Sequence, residues 1–262
     1  MLVLYDNPFS PFARKVRMVL RYKGLPFRSI DALAKGEHGR LVEANPRAEV
    51  PVLVDGTLSV ADSADIVAYL EDRFPTPAVF PAAPELRATA RRWQRIADSA
   101  LDAIVHDVSI WIWPTHHRSD QPPAGLIEAG RRDLHSILAG IERSLGASGF
   151  VCGELSIADL ALFPHVSSLK PLGILLDDSR YPMLLRWGRE MRLQAAVRED
   201  LDHVKQSAVE KFASGESPYE DEKIVWRGDR IEWLLEHGYQ GWLLAEIASG
   251  RAVIPRWFTE GP

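Results

Sequence analysis

The stretch Asn7-Pro8-Phe9-Ser10-Pro11-Phe12-Ala13-Arg14-Lys15-Val16-Arg17 decides how the N-terminal part of the chain folds. An apolar run, Leu2, Val3, Leu4 and Tyr5, precedes it and reads as a strand. Val16, Met18, Val19 and Leu20 follow with the spacing of a helix that buries one face. Ser10 therefore falls at or just before the start of that helix, and Pro11 suits its first position. Unpaired amides and the positive end of the helix dipole gather there and favour an anion or a thiolate. A hydroxyl in that place can hydrogen-bond a substrate sulfur and lower its pKa. It can equally be an ordinary serine N-cap.

A second stretch, Asn45-Pro46-Arg47-Ala48-Glu49-Val50-Pro51-Val52-Leu53-Val54-Asp55-Gly56, joins a turn signal to an apolar strand and an Asp-Gly hairpin signal. Pro51 heads that strand without the N–H a central ladder needs, so a bend, with a cis peptide, is expected before Val52. Beyond the hairpin, Ala61-Asp62-Ser63-Ala64-Asp65-Ile66 opens a helix with Asp and Ser in its first turn.

Strand, Ser-Pro-Phe helix, Val-Pro strand, hairpin and Asp-Ser helix, in that order, resemble the thioredoxin-like domain of the glutathione transferases. Ser10-Pro11-Phe12-Ala13 is similar to the plant tau-class motif, and to the omega-class motif with Ser in place of Cys. Val50-Pro51 matches the family's cis-proline step, and Asp62-Ser63 its usual Glu-Ser pair. The resemblance covers residues 1 to about 205. It implies an α/β thioredoxin-like N-terminal domain and an all-α C-terminal domain; the residues beyond exceed what the family usually carries and read as an extra C-terminal helical extension. It also implies glutathione as co-substrate, with Ser10 as the catalytic hydroxyl. Val50, next to Pro51, would pair its backbone with the cysteinyl part, Asp62 would meet the γ-glutamyl amine and Ser63 its carboxylate. His38 in Gly36-Glu37-His38 would reach the glycine carboxylate, as in theta-class relatives with Gly-Gln-His.

Three positions depart from the pattern. Asp62 is one methylene shorter than the usual Glu. Glu49 stands where relatives often carry a basic residue, and its carboxylate would repel the tripeptide. Tyr5 competes with Ser10, because other classes use a strand-end tyrosine, but its place well before the turn assigns it to the core. The second substrate implied is a small hydrophobic electrophile: an aryl or alkyl halide, an epoxide or an activated alkene. The same site also suits glutathione-dependent dehalogenation, ether cleavage or isomerisation. A non-catalytic binding module on the same fold is the other class of reading. A serine hydrolase is disfavoured, since no Gly-x-Ser-x-Gly elbow surrounds Ser10. The resemblance further implies a two-fold homodimer.

Composition fits a two-domain protein. The 262 residues are 46% hydrophobic, enough for a substantial core. A net charge of −5, with 31 Lys and Arg scattered along the chain, argues against a nucleic-acid partner. Met1 runs directly into a strand, no apolar run reaches membrane-spanning length, and a single cysteine excludes an internal disulfide; a cytoplasmic protein with no membrane partner is expected. No metal is expected: His116-His117 beside Pro114 has no carboxylate at ligand spacing. Cys152, in the apolar stretch Gly149-Phe150-Val151-Cys152-Gly153, reads as a buried inert thiol.

The domain boundaries expected are residues 1–75 for the glutathione-binding domain, 76–84 for a proline-rich linker, 85–205 for the helical domain and 206–262 for the extension. Helical stripes run from Leu86 through Ile112 and from Leu126 through Leu145. Ser156-Ile157-Ala158-Asp159 fits a capping box, with Leu155 and Leu160 as hydrophobic staple. Trp111 and Trp113, with His116 and His117, read either as acceptor-pocket walls or as core. After a break at Ser214-Gly215-Glu216-Ser217-Pro218, Trp226, Ile231, Trp233, Leu234, Leu235, Trp242 and Leu243 suggest two short amphipathic helices packed on the helical domain, with a further tryptophan at Trp257.

Overall fold

A computed structural model describes residues 1–32, 34, 37–112, 121–146, 149–212, 224–225 and 228–253. Four strands form the first sheet: β1 (Leu2–Asp6), β2 (Phe27–Asp31), β3 (Val52–Asp55) and β4 (Leu58–Ala61), in the spatial order β2-β1-β3-β4. β2 runs parallel to β1, as its crossover through helix α1 (Pro11–Tyr22) requires, while β3 and β4 run antiparallel. Helix α2 (His38–Ala44) leads to β3, and α3 (Ser63–Arg73) follows β4. This is the expected thioredoxin-like arrangement. The Val50–Pro51 peptide is cis, as is Thr76–Pro77.

The periodicity of α1 predicts a single buried face, yet every residue from Ala13 to Leu20 is buried, three cations included. Val16, Met18, Val19 and Leu20 join the apolar core. Arg14, Lys15 and Arg17 are enclosed instead by acids from elsewhere in the chain: Asp200, Asp98 and Asp6. Buried cations persist only where such partners satisfy them.

Helix α4 (Pro84–Ile96) passes through one π-helical turn (Ala97–Leu101) into α5 (Asp102–Ile112). The wider turn carries Asp98, whose carboxylate meets Lys15 on α1. Helix α6 (Leu126–Ser144) packs on α5 where a Cβ at Gly130 would come within 2.6 Å of Val108 Cγ2, so the close approach needs glycine. Then follow α7 (Ile157–Ser168), α8 (Pro182–Leu193) and α9 (Ala195–Phe212). At the α7 start the expected Ser156–Asp159 box is present. Asp159 accepts from Ser156 N (3.0 Å) and Oγ (3.0 Å), and also from Val151 N and the Trp187 indole. Cys152 is buried, and burial pushes its thiol up.

The extension holds α10 (Gly228–Glu236), α11 (Gln240–Ala248) and a two-stranded parallel pair, β5 (Ile224–Val225) with β6 (Ala252–Val253), which sequence reasoning does not anticipate. Trp233, Leu234 and Leu243 join the core that runs from β1 and α1 through α4, α7 and α8. Asp133 on α6 fixes the extension, accepting from Trp233 Nε1 (2.9 Å) and pairing with His237 (2.8 Å). Leu235 and Leu244 stay exposed. Trp113, His116, His117, Trp226, Trp257 and the Ser214–Pro218 break lie outside the described residues. Among the described residues no helix is long and apolar enough to cross a membrane, and no cluster of metal-ligating side chains occurs.

Candidate active site

Sheet register gathers the proposed site residues at one end of the molecule. Tyr5 pairs with Val52, so the end of β1 and the turn that follows lie beside Pro51. Val52 pairs in turn with Ala61, which brings Asp62 and Ser63 to the same end. Ser10, Val50, Pro51, Asp62 and Ser63 therefore share one rim, with the N-termini of α1 and α3 opening onto it.

Ser10 is the N-cap of α1, with extended backbone (φ −60°, ψ 121°), and its Oγ accepts from Ala13 N at 3.4 Å. Accepting that bond leaves the hydroxyl proton available to another acceptor. The turn before it is held by Asn7, whose Oδ1 accepts from Phe9 N (3.0 Å) and Ser10 N (3.2 Å). Arg17, fully buried, reaches back from α1 to the same turn. It donates to both Asp6 oxygens (2.6 and 2.8 Å), to the Asn7 carbonyl (3.3 Å) and to the Pro8 carbonyl (2.9 Å). Its Nε donates to Asp200 on α9 (2.9 Å), tying the turn to the helical part. Burial alone would depress the Arg17 guanidinium; the charges of Asp6 and Asp200 outweigh it and hold it above its ordinary value. Neither Asn7 nor Arg17 stands out in the sequence, because a polar loop residue and a helical arginine are ordinary there.

At the neighbouring position, Val50 makes no backbone hydrogen bond to the described residues outside the ladders, and the sheet pairing begins only at Val52. The turn beneath it rests on Asn45, whose amide donates to the Glu49 carbonyl (3.1 Å). Glu49, expected to repel the tripeptide, is itself paired. Its two oxygens are taken up by Arg47 Nε (2.8 Å) and Nη2 (3.0 Å), a forked pair that neutralises the carboxylate. Asp62 caps α3 with positive φ (69°), its Oδ1 accepting from Ala64 N at 2.7 Å. One oxygen of Asp62 is thereby committed to the helix, which the sequence did not indicate. Ser63 is buried behind it. His38 opens α2, and its side chain lies outside the described ones. Tyr5 sits within β1, half-buried against the small cluster of Ala32, Leu41 and Val52.

Two family descriptions match the chain: "Glutathione S-transferase, N-terminal domain" over residues 4–78 and "Glutathione S-transferase, C-terminal domain" over residues 124–188. A probable glutathione S-transferase GSTU1 of Oryza sativa subsp. japonica is 30% identical over 214 residues, which span 75% of this chain and 88% of that protein. The chain belongs to the glutathione S-transferase family. Among solved structures of that fold, a glutathione S-transferase from Methylobacterium radiotolerans, in complex with glutathione sulfonate, is 26% identical with a TM-score of 0.64, covering 76% of this chain and 93% of the other. The β-etherase LigF of Sphingobium sp. strain SYK-6 shares the fold at 23% identity and a TM-score of 0.68, over 77% of this chain and 98% of its own.

Proposed function

We propose that this transferase-family chain binds glutathione on the rim formed by Ser10, Val50, Pro51, Asp62 and Ser63 and adds its thiolate to a small hydrophobic electrophile. The observation that carries the proposal is Ser10: a hydroxyl with its proton to give, at the positive end of α1, on a turn pinned by Asn7 and Arg17. A free thiol titrates near 8.5, and each unit of depression is about 1.4 kcal/mol of thiolate preference. One hydrogen bond to a charged acceptor contributes about 1.5–3 kcal/mol, enough for one or two units. Val50, lacking a ladder partner, offers its N–H and C=O to the cysteinyl residue as a strand does to an extended peptide. Asp62 keeps one oxygen for the γ-glutamyl amine, and Ser63 with the α3 N-terminus receives the carboxylate. His38 is assigned to the glycine carboxylate. No step calls for a metal.

The acceptor substrate is placed on the helical side, beside half-buried Trp111 at the end of α5. Trp242 of the extension stacks obliquely on it, ring centroids 5.8 Å apart. In this reading residues 1–75 bind glutathione, 76–84 link, 85–205 supply the helical wall and 206–262 form the extension, the whole working as a cytoplasmic two-fold dimer. Retention on immobilised glutathione, combined with turnover of a chloronitroarene, tests the proposal. Retention with turnover is expected. Retention without turnover of any halide, epoxide or activated alkene would leave a binding module, and failure to be retained would remove glutathione from the account.

A further inference from the structure

Far from the rim, helix α6 carries Arg132, Ser136, Ala139 and Arg143 at steps of four, three and four, which place them along one face. That face and Arg180, from the turn before α8, line an open cleft of about 500 Å3 whose remaining lining residue is His135. No carboxylate lines it. Arg132, Arg143 and Arg180 are exposed and make no ion pair among the described residues.

The acids nearest this face have their hydrogen bonds to other groups. Asp133 is engaged by Trp233 and His237 of the extension. Glu142 spends both oxygens on the α8 N-terminus, accepting from Met183 N (2.9 Å) and Leu184 N (2.7 Å). Asp177 accepts from Ser179 N and Oγ, both at 2.7 Å, within its own turn; these bonds, and to a lesser extent the Arg180 backbone N–H and charge, hold its carboxyl below the usual range. His135 is likewise held in place: its Nδ1 lies 2.9 Å from the Tyr181 hydroxyl and the two rings are parallel within 3°. Arg180 lies over the other ring of that stack, 5.3 Å from the Tyr181 centroid. Burial, and then the charge of Arg180, push the His135 imidazole down.

We infer that this cleft is a binding site for a small phosphate-bearing molecule with two or more negative charges. Three guanidinium forks and a serine hydroxyl offer more donors than one carboxylate can accept, whereas a phosphate or diphosphate has oxygens for all of them. The cations surround a concavity of small-molecule size rather than forming a stripe that could follow a polymer backbone. With the anion in place, its charge opposes that of Arg132, Arg143 and Arg180, and His135 becomes a second donor on protonation.

Titration of the full chain with inorganic pyrophosphate at low ionic strength tests this, read by calorimetry and by the His135 imidazole resonance. Saturable one-site binding is expected, with a moved His135 signal and an upward shift of its pKa. Arg132→Gln and Arg180→Gln should each weaken binding about tenfold, the 1.4 kcal/mol of one lost charge-assisted contact. Arg28→Gln, on the exposed face of β2, should change nothing. Ser10→Ala should also leave pyrophosphate binding intact, which separates this site from the glutathione rim. Unsaturable binding, or equal losses in Arg28→Gln, would reduce the effect to general charge attraction and overturn the site. Succinate binding as tightly as pyrophosphate would overturn the assignment to phosphate.

Discussion

A hydroxyl that accepts the Ala13 N–H still holds a proton, so in Ser10 the helix cap is free to serve also as the proposed thiolate donor. Ser10→Ala should lower conjugation by roughly ten- to a thousandfold while glutathione affinity changes little, because the bond is made to the sulfur alone. The bound thiol's pKa, followed by thiolate absorbance, should rise with it. Full activity in that variant, alongside an inactive Tyr5→Phe, would transfer the role to Tyr5. Glu49 supplies a second test at this scale. Its carboxylate, next to Val50, accepts a fork from Arg47 that would offset repulsion of the tripeptide. Arg47→Ala should therefore raise the KM for glutathione several-fold, and Arg47→Ala with Glu49→Gln should restore it. An unchanged KM in the single variant would show that Glu49 does not face the tripeptide. The sequence displayed Ser10, Val50, Pro51, Asp62 and Ser63 because local chemistry marks them: a cap, a proline at a strand head, a first-turn acid. It hid Arg47's role because a forked pair two residues apart in a turn has no periodic signature.

Among the elements, α1 was legible as a helix and misread as to burial. Its apolar spacing predicts one inward stripe, whereas Arg14 and Arg17 are enclosed by Asp200, some 180 positions later in the chain. Only tertiary structure can pair groups so far apart, and the β5–β6 pair likewise joins residues distant in sequence. Arg17→Met would take the arginine from buried Asp6 and leave Asp200 to Arg14 alone as its close partner, a loss of about 3–5 kcal/mol. A fall in Tm of roughly 10 °C or more is expected, with a weaker thiolate shift because the Pro8 carbonyl loses its donor. Activity and Tm both unchanged would deny Arg17 its positioning role. His203, on α9 at the edge of the same cluster, faces Asp6, Asp200, Arg17 and Arg21. Burial first, then the charge of Arg17, depress its imidazole. The folded chain thus resists a proton that the unfolded chain accepts near pH 6.5, so stability falls as pH drops through that value. His203→Gln should flatten the decline between about pH 6.5 and 5, as read from Tm against pH; an identical slope would place the titration elsewhere.

At the scale of the whole molecule, the extension is a stabilising part of the fold rather than an appendage. Trp233, Leu234 and Leu243 are buried against the body, and Asp133 holds both Trp233 and His237. Fully burying such side chains contributes about 1.5–3 kcal/mol each, an upper bound because the unfolded chain already hides part of that surface. Removing them exposes α5 and α6 and leaves Asp133 without its two partners. Deleting residues 214–262 should therefore lower Tm by about 10 °C or more in a chain of this size. Contact between Trp242 and Trp111 adds a kinetic expectation, since Trp111 borders the proposed acceptor site. Trp242→Ala, which keeps the rest of the extension, should alter the KM for a hydrophobic electrophile by several-fold and leave that for glutathione unchanged. Equal kinetics in Trp242→Ala would confine the extension to bracing the helical domain. A truncated protein that melts where the full chain does would deny it even that.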